Sequence, residues 1–302
     1  GTKLLTLTGG VAGTAGNLIL DNQSATAGGV TLSTAAVNNI GTITNIGSGA
    51  GGSTISIGIG TNVTSVVNSG SSTLTLSAAN TYTGATNINA GTIKLGVANA
   101  IGASSAVTLS GTATLDLNGF SDAIGSLSGV SGTTVTSGVA GAVTLTSGAN
   151  NATTTFAGVI QDGSGTVAVT KAGTGTLTLS GANNYSGATT VNAGGTLVAA
   201  NATALGNTTG ATTVANTATL NINNVAIGAE AVTVSGIGVG GNGALTGSGS
   251  ASLSGNVTMA AASTFGAATG SDTLNISGVI GPVVNFALTK VGAGTLNLSG
   301  AN

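Results

Sequence analysis

The sequence predicts an all-β chain built as a parallel β-helix, a solenoid of stacked coils with no significant helix. Three observations carry that expectation. Apolar residues alternate with polar ones over short runs, the runs close on Gly, Asn or Ser, and whole segments recur along the chain. Strict alternation sends one set of side chains to a core and the other to solvent, which is the pattern of a strand rather than a helix.

The elements follow in chain order. Leu74 and Leu76 alternate with Thr73, Thr75 and Ser77, and Leu115 and Leu117 alternate with Thr114, Asp116 and Asn118. The pattern returns at Leu177 and Leu179, at Leu220 and Ile222, and at Leu296 and Leu298. Each run covers about 4 to 6 residues before a residue that tolerates a turn closes it. β-Branched Thr and Val dominate where helix formers would be needed, and no segment sustains a 3.6-residue period.

Self-similarity organises these runs. LTLSAANTYTGATNINAG from Leu74 to Gly91 is repeated as LTLSGANNYSGATTVNAG from Leu177 to Gly194, an offset of 103 that places Leu74 on Leu177, Asn80 on Asn183, Tyr82 on Tyr185 and Gly84 on Gly187. A third copy opens at Leu296, and the preceding Lys171 falls on Lys290 at an offset of 119. Drifting offsets suit multi-strand units joined by loops of varying length. The expected division is one β-solenoid over 1–302, with irregular coils in 1–70, a first repeat unit in 71–172, a second in 173–291 and the start of a third in 292–302. If a coil takes ~20 to 25 residues and rises about 4.8 Å, the chain would make roughly 12 to 15 coils and a rod of ~60 to 70 Å. Parallel strands of this length bury a narrow core of Leu, Ile, Val and Ala.

Composition then removes most chemistry. The chain has 302 residues but only 4 Lys+Arg and 6 Asp+Glu, with no His, Cys or Trp. A histidine base, a thiol nucleophile, a zinc cluster and a disulfide framework are excluded because their side chains are missing. Nucleic acid is excluded as a partner, since all four cations are lysines and the net charge is -2. A hydrophobic content of 41% is too high for a chain kept unfolded by solvation. No run approaches the ~18 apolar residues of a membrane-crossing helix, and two Tyr and four Phe cannot furnish the aromatic girdles of a membrane barrel. No signal peptide is visible and the chain begins without Met, so a processed piece of a longer protein is expected. So few titrating groups lead to the expectation of a stability that varies little with pH.

The string K-x-G-x-G-T-L-x-L-S-G-x-N-x-Y-x-G-x-T-x-x-x-x-G, from Lys171 through Gly173, Gly175, Leu177, Leu179, Asn183, Tyr185 and Gly187 to Gly194, resembles the autotransporter-associated β-strand repeat, also called the passenger-associated transport repeat. LDLNGFSDAIGSLSG at Leu115 to Gly129 resembles the stretch that commonly follows it. The first copy departs from the pattern with Asn68 at the Lys position and with Ser72 and Ala78 in place of Gly. The resemblance covers about three quarters of the chain, from near Gly70 to the end. It implies a right-handed parallel β-helix, export by a Gram-negative bacterium, an extracellular or cell-surface location and an adhesin or surface-fibre role.

Candidate sites are few. Asp21, Asp116, Asp122, Asp162, Glu230 and Asp272 are scattered. A catalytic pair of Asp116 and Asp122 would require both to face one groove, so they are expected on solvated turns or an outer face, and no enzyme activity is expected. Lys171 and Lys290 read as exposed turn lysines, the alternative being a bond that fixes stacking between coils. Tyr82 and Tyr185 read as core or groove-covering residues with the hydroxyl at the turn, in preference to sugar-stacking platforms. Phe120, Phe156, Phe265 and Phe286 read as core plugs. Asp162-Gly163-Ser164-Gly165 lacks the acidic ligands of a calcium loop, and its counterpart begins Gly281-Pro282, so no metal or cofactor is expected. Thr-x-Thr pairs such as Thr73/Thr75 and Thr176/Thr178 do not recur on every coil as an ice-ordering face would need. Stacked Asn and Thr are expected to form hydrogen-bonded ladders. The expected role is a structural stalk or filament of an adhesin-like protein, with copies of itself as partners end to end or laterally, and the alternative is a passenger that binds host or surface glycans in a groove.

Overall fold

The computed structural model describes residues 5–7, 11, 13, 15–25, 29–281 and 286–301; Lys3, Pro282 and Asn302 fall outside these stretches. The chain forms two compact units, Gly1–Leu145 with Gly163–Gly165, and Thr146–Asp162 with Thr166–Asn302.

In the first unit the strands Val30–Leu32, Ser53–Ile55, Thr73–Leu76, Thr92–Leu95, Thr114–Asp116 and Thr134–Thr136 pair each with the next, all parallel. A second file runs Leu18–Leu20, Gly41–Asn45, Val63–Asn68, Ala85–Ile88, Ala106–Leu109 and Ser126–Gly129, again parallel. Bridges Val11–Val37 and Val37–Ile59 mark a third side. Successive coils place like residues in register, so Leu74, Ile93, Leu115 and Val135 form one buried column. Each inward side chain packs on the one a coil below, which is how so narrow a core removes apolar surface from water.

The second unit repeats the construction. One file carries Thr154–Phe156, Thr176–Leu179, Thr196–Ala199, Thr219–Asn223 and Leu245–Ser248, and another carries Thr166–Lys171, Thr189–Val191, Thr212–Val214 and Val232–Gly236. The long strand Val257–Ala267 pairs with both files. A third file runs Ala226–Ile227, Ser250–Leu253, Thr273–Ile276 and Thr295–Leu298. Leu177, Leu197, Leu220, Leu245 and Phe265 form the buried column of the first of these files and the long strand. Coil length varies, from the short step Leu74 to Ile93 in the first unit to longer steps such as Leu220 to Leu245 and Ala226 to Ser252 in the second. Among the described residues the only helical segment is the short 3₁₀ turn Val239–Gly241.

Two expected core placements change. Phe156 and Phe265 are fully buried, but Phe120 is only half-buried and Phe286 is exposed. Leu296 and Leu298 keep their register on Leu274 and Ile276, yet Leu296 is half-buried and Leu298 exposed, because no described coil packs over that strand.

The motif glycines mark where coils touch backbone to backbone. A Cβ at Gly84 would lie 2.1 Å from the Thr64 carbonyl oxygen, and one at Gly187 would lie 2.4 Å from that of Val167. Gly187→Ala is therefore expected to lower stability by at least about 2 kcal/mol, since no flexible side chain can yield there. Thermal unfolding followed by circular dichroism measures it, and an unchanged midpoint would contradict the packing described.

Candidate functional site

The residues shared by the repeat copies form a hydrogen-bonding apparatus between coils. Asn183 is buried; its Oδ1 accepts the Ile160 N–H at 2.8 Å and its Nδ2 donates to the Ala204 carbonyl at 2.7 Å. Asn80 does the same in the first unit, accepting from Ile59 N at 2.7 Å and donating to Ala100 O at 2.5 Å. One amide thus satisfies an N–H on the coil before it and a carbonyl on the coil after.

Tyr82 and Tyr185 are fully buried. Ser105 donates to the Gly84 carbonyl at 2.7 Å, so the shared bonds to Thr86 at 2.8 Å on either side run in one direction, from Tyr82 to Thr86 to Ser105. In the second copy the Tyr185 hydroxyl meets Thr189 Oγ1 at 2.6 Å, and Thr189 passes a hydrogen to the Leu205 carbonyl. Burial pushes both phenols well above their ordinary value. Neither ring can stack on a sugar. The Y-x-x-x-T spacing stands in both copies of the sequence and is a readable sign of this pairing.

Lys171 corrects the expectation of an exposed lysine. It is 1% exposed, and its Nζ donates to the carbonyls of Ala172 at 2.5 Å and Gly173 at 3.1 Å, closing the turn where Gly173 has a φ of +64°. Gly175 follows, with room for no Cβ because the Ala152 carbonyl oxygen would be 2.2 Å away. Burial lowers the affinity of the Lys171 amine for its proton. Lys290 makes the matching bond to Gly292 O at 2.7 Å from an exposed position. In the first copy Asn68 stands at the lysine position and bonds to neighbouring coils instead. It is fully buried, donating from Nδ2 to Ala90 O at 2.8 Å and accepting at Oδ1 from Asn45 at 2.6 Å. Lys171→Ala is expected to cost about 2–4 kcal/mol, through a cavity and two stranded carbonyls, whereas Lys290→Ala stays within about 0.5 kcal/mol. Chemical denaturation of both variants measures the difference, and equal effects would refute the contrast in burial.

The acids divide. Asp116 is half-buried, and its Oδ1 accepts from the N–H groups of Asn118 and Gly138, both at 2.8 Å. Asp162 accepts from Val167 N at 2.7 Å and from the Ser186 backbone and hydroxyl, tying one coil to the next. Asp272 binds Gly249 N and the backbone and hydroxyl of Thr269, and these hydrogen bonds hold its carboxyl below the usual range. Two others overturn the expectation of solvated turns. Asp122 is 2% exposed, with Oδ2 accepting from Ile101 N at 3.1 Å and Oδ1 left without a partner among the described residues. Glu230 is also buried, and its Oε1 accepts from the Thr212 hydroxyl at 2.7 Å. Desolvation pushes Asp122 up to about 6 and Glu230 to about 7. Asp122 therefore sits in the interior while Asp116 is engaged by turn amides. No motif in the sequence marks Glu230 as interior.

The outward threonines align differently from the Thr-x-Thr pairs. Thr170, Thr190, Thr213, Thr233 and Thr258 form a single column over consecutive coils of the second unit. The column beside Thr178 continues instead through Val198, Asn221 and Thr246. Among the described residues no group of three or more acidic side chains could hold a metal ion.

Comparison with known families finds the passenger-associated-transport-repeat at residues 66–95, 169–199 and 288–302. No curated protein and no solved structure matches the chain. The first two matched stretches contain the Asn bridge, the tyrosine–threonine pair and the buried polar residue at the Lys position, so the family pattern includes the amide that joins coil to coil as well as groups that close turns within a coil. The chain carries the passenger-associated-transport repeat three times, on strands stacked as a parallel β-solenoid.

Proposed function

We propose that this chain is part of an exported autotransporter-type passenger, a structural β-solenoid at the cell surface or outside the cell that forms a stalk or filament of an adhesin-like protein. The observation that carries this reading is the coincidence of the transport repeat with inter-coil bonds, which makes the chemistry common to the repeat copies a device for stacking rather than for turnover. Its partners are copies of itself, joined by pairing of strand edges or by contact between nearly uncharged faces. No catalysis is assigned. Negative-stain imaging of the native material tests the reading, with threads or cell-attached stalks expected. Compact single particles would overturn it.

A second reading, a passenger that binds glycans in a groove, is favoured by one feature of the second unit. Tyr82 and Tyr185 cannot serve it, being fully buried. A polar groove elsewhere can.

A further inference from the structure

The step from Leu220 to Leu245 is longer than the next step, from Leu245 to Phe265. Its surplus is the segment Gly236–Gly243, in which five glycines have positive φ. The segment is fastened to itself by Gly243 N to Ile237 O at 2.9 Å and Asn242 N to Val239 O at 3.2 Å. Thr219 fastens it to the sheet, donating from Oγ1 to Gly243 O at 2.8 Å and accepting from Val239 N at 2.9 Å. A self-bonded, anchored loop is a wall with a defined position rather than a floppy excursion.

Between that wall and the outer face of the sheet lies a groove of about 470 Å³, bounded by Val198, Asn221 and Thr246 on the sheet and by Val239 and Asn242 on the loop. This is within the range of small-molecule sites, roughly 300–1,000 Å³. Asn221 donates from Nδ2 to Thr246 Oγ1 at 2.8 Å and to Ser248 Oγ at 3.0 Å, which fixes the amide and leaves its Oδ1 as an acceptor with no protein donor among the described residues. Thr176 and Thr196 add hydroxyls in register on successive coils, at a repeat of about 4.8 Å. No charged side chain lines the groove. An anion would find no cation there, and an apolar ligand would strand the amide and hydroxyls. A pyranose matches it, with hydroxyls for the Asn and Thr groups and C–H faces for Val198 and Val239.

We propose that this groove binds an uncharged oligosaccharide. The proposal rests on the glycan-binding reading above and supplies its site. Titration calorimetry of the intact chain with maltotetraose, cellotetraose and mannotetraose tests it, with tetragalacturonate as the charged probe. Saturable binding of at least one neutral tetrasaccharide is expected, weakened at least about tenfold by Asn221→Ala and by Val198→Arg, which puts bulk and charge into the groove. Asn242→Ala, on the exposed loop, keeps the test valid if a sheet variant fails to fold, and it too is expected to weaken binding. Absence of binding by all three neutral sugars at millimolar concentration, preference for tetragalacturonate, or affinity unchanged in the folded variants would each overturn the proposal. Imaging separates the two claims: threads that bind no neutral sugar remove the groove alone, and compact particles that bind one remove the stalk alone.

Discussion

Acidification from about pH 8 to about pH 5 is expected to stabilise this protein, and Asp122→Asn together with Glu230→Gln is expected to abolish most of that gain. Both carboxyls have a folded-state pKa above the unfolded one, about 6 against 3.8 for Asp122 and about 7 against 4.5 for Glu230. The folded state therefore binds the proton more tightly. The penalty of a buried charge is fully present above the folded pKa, shrinks as pH falls through it, and is gone below the unfolded pKa. Each shift corresponds to a few kcal/mol, on the order of 2–3 per site. Little opposes them: the titratable groups facing the two acids are the neutral, buried phenols of Tyr82 and Tyr185. The lowered Asp272 loses its hydrogen-bonded advantage only at pH below the window considered. Urea titrations at several pH values measure the effect; a flat profile between pH 5 and 8 in the unsubstituted chain would refute the burial of these charges. The small number of titrating groups leads by itself to a pH-insensitive fold, whereas the burial of Asp122 and Glu230 leads to the opposite expectation, and the same titrations decide between them.

The second large effect is expected at Asn183. Asn183→Ala removes the acceptor of the Ile160 N–H and the donor to the Ala204 carbonyl, two groups in the interior with no alternative partner shown. Stranding buried backbone groups costs about 1–3 kcal/mol each, so a loss of roughly 2–5 kcal/mol follows. Asn184→Ala, one residue along and exposed, is the control and is expected to stay within about 0.5 kcal/mol. Denaturant midpoints of the pair decide the matter, and similar midpoints would mean that the amide does not bridge the coils. The equivalent change at Asn80 is expected to act likewise in the first unit, since its amide spans Ile59 and Ala100 in the same way.

Much of the fold is legible in the sequence. The alternation at Leu74 and Leu76 or Leu177 and Leu179 assigns strands and their buried face, because side chains on a strand point to opposite sides in turn. The offset of 103 places Asn80 with Asn183 and Tyr82 with Tyr185, and both pairs do the same work in their units. The candidate site is less legible. Lys171 and Lys290 share a sequence context, yet one is interior and the other exposed, because burial depends on which coils pack around the turn. Asp122 and Glu230 follow the same logic. Their neighbours in space are Ile101 and Thr212, residues a coil away, and nothing in the adjacent sequence signals that a carboxyl will be enclosed.

The amino-acid sequence by itself determined that this is a helix-poor chain of parallel coils carrying a transport repeat, since period-two alternation and recurrence are local properties of the chain. Only the tertiary structure decided which polar side chains enter the core, where Gly236–Gly243 leans over the sheet, and which outward residues share a column. Those are properties of register between coils some twenty residues apart, set by the lengths of intervening turns and by where a glycine allows two backbones to meet.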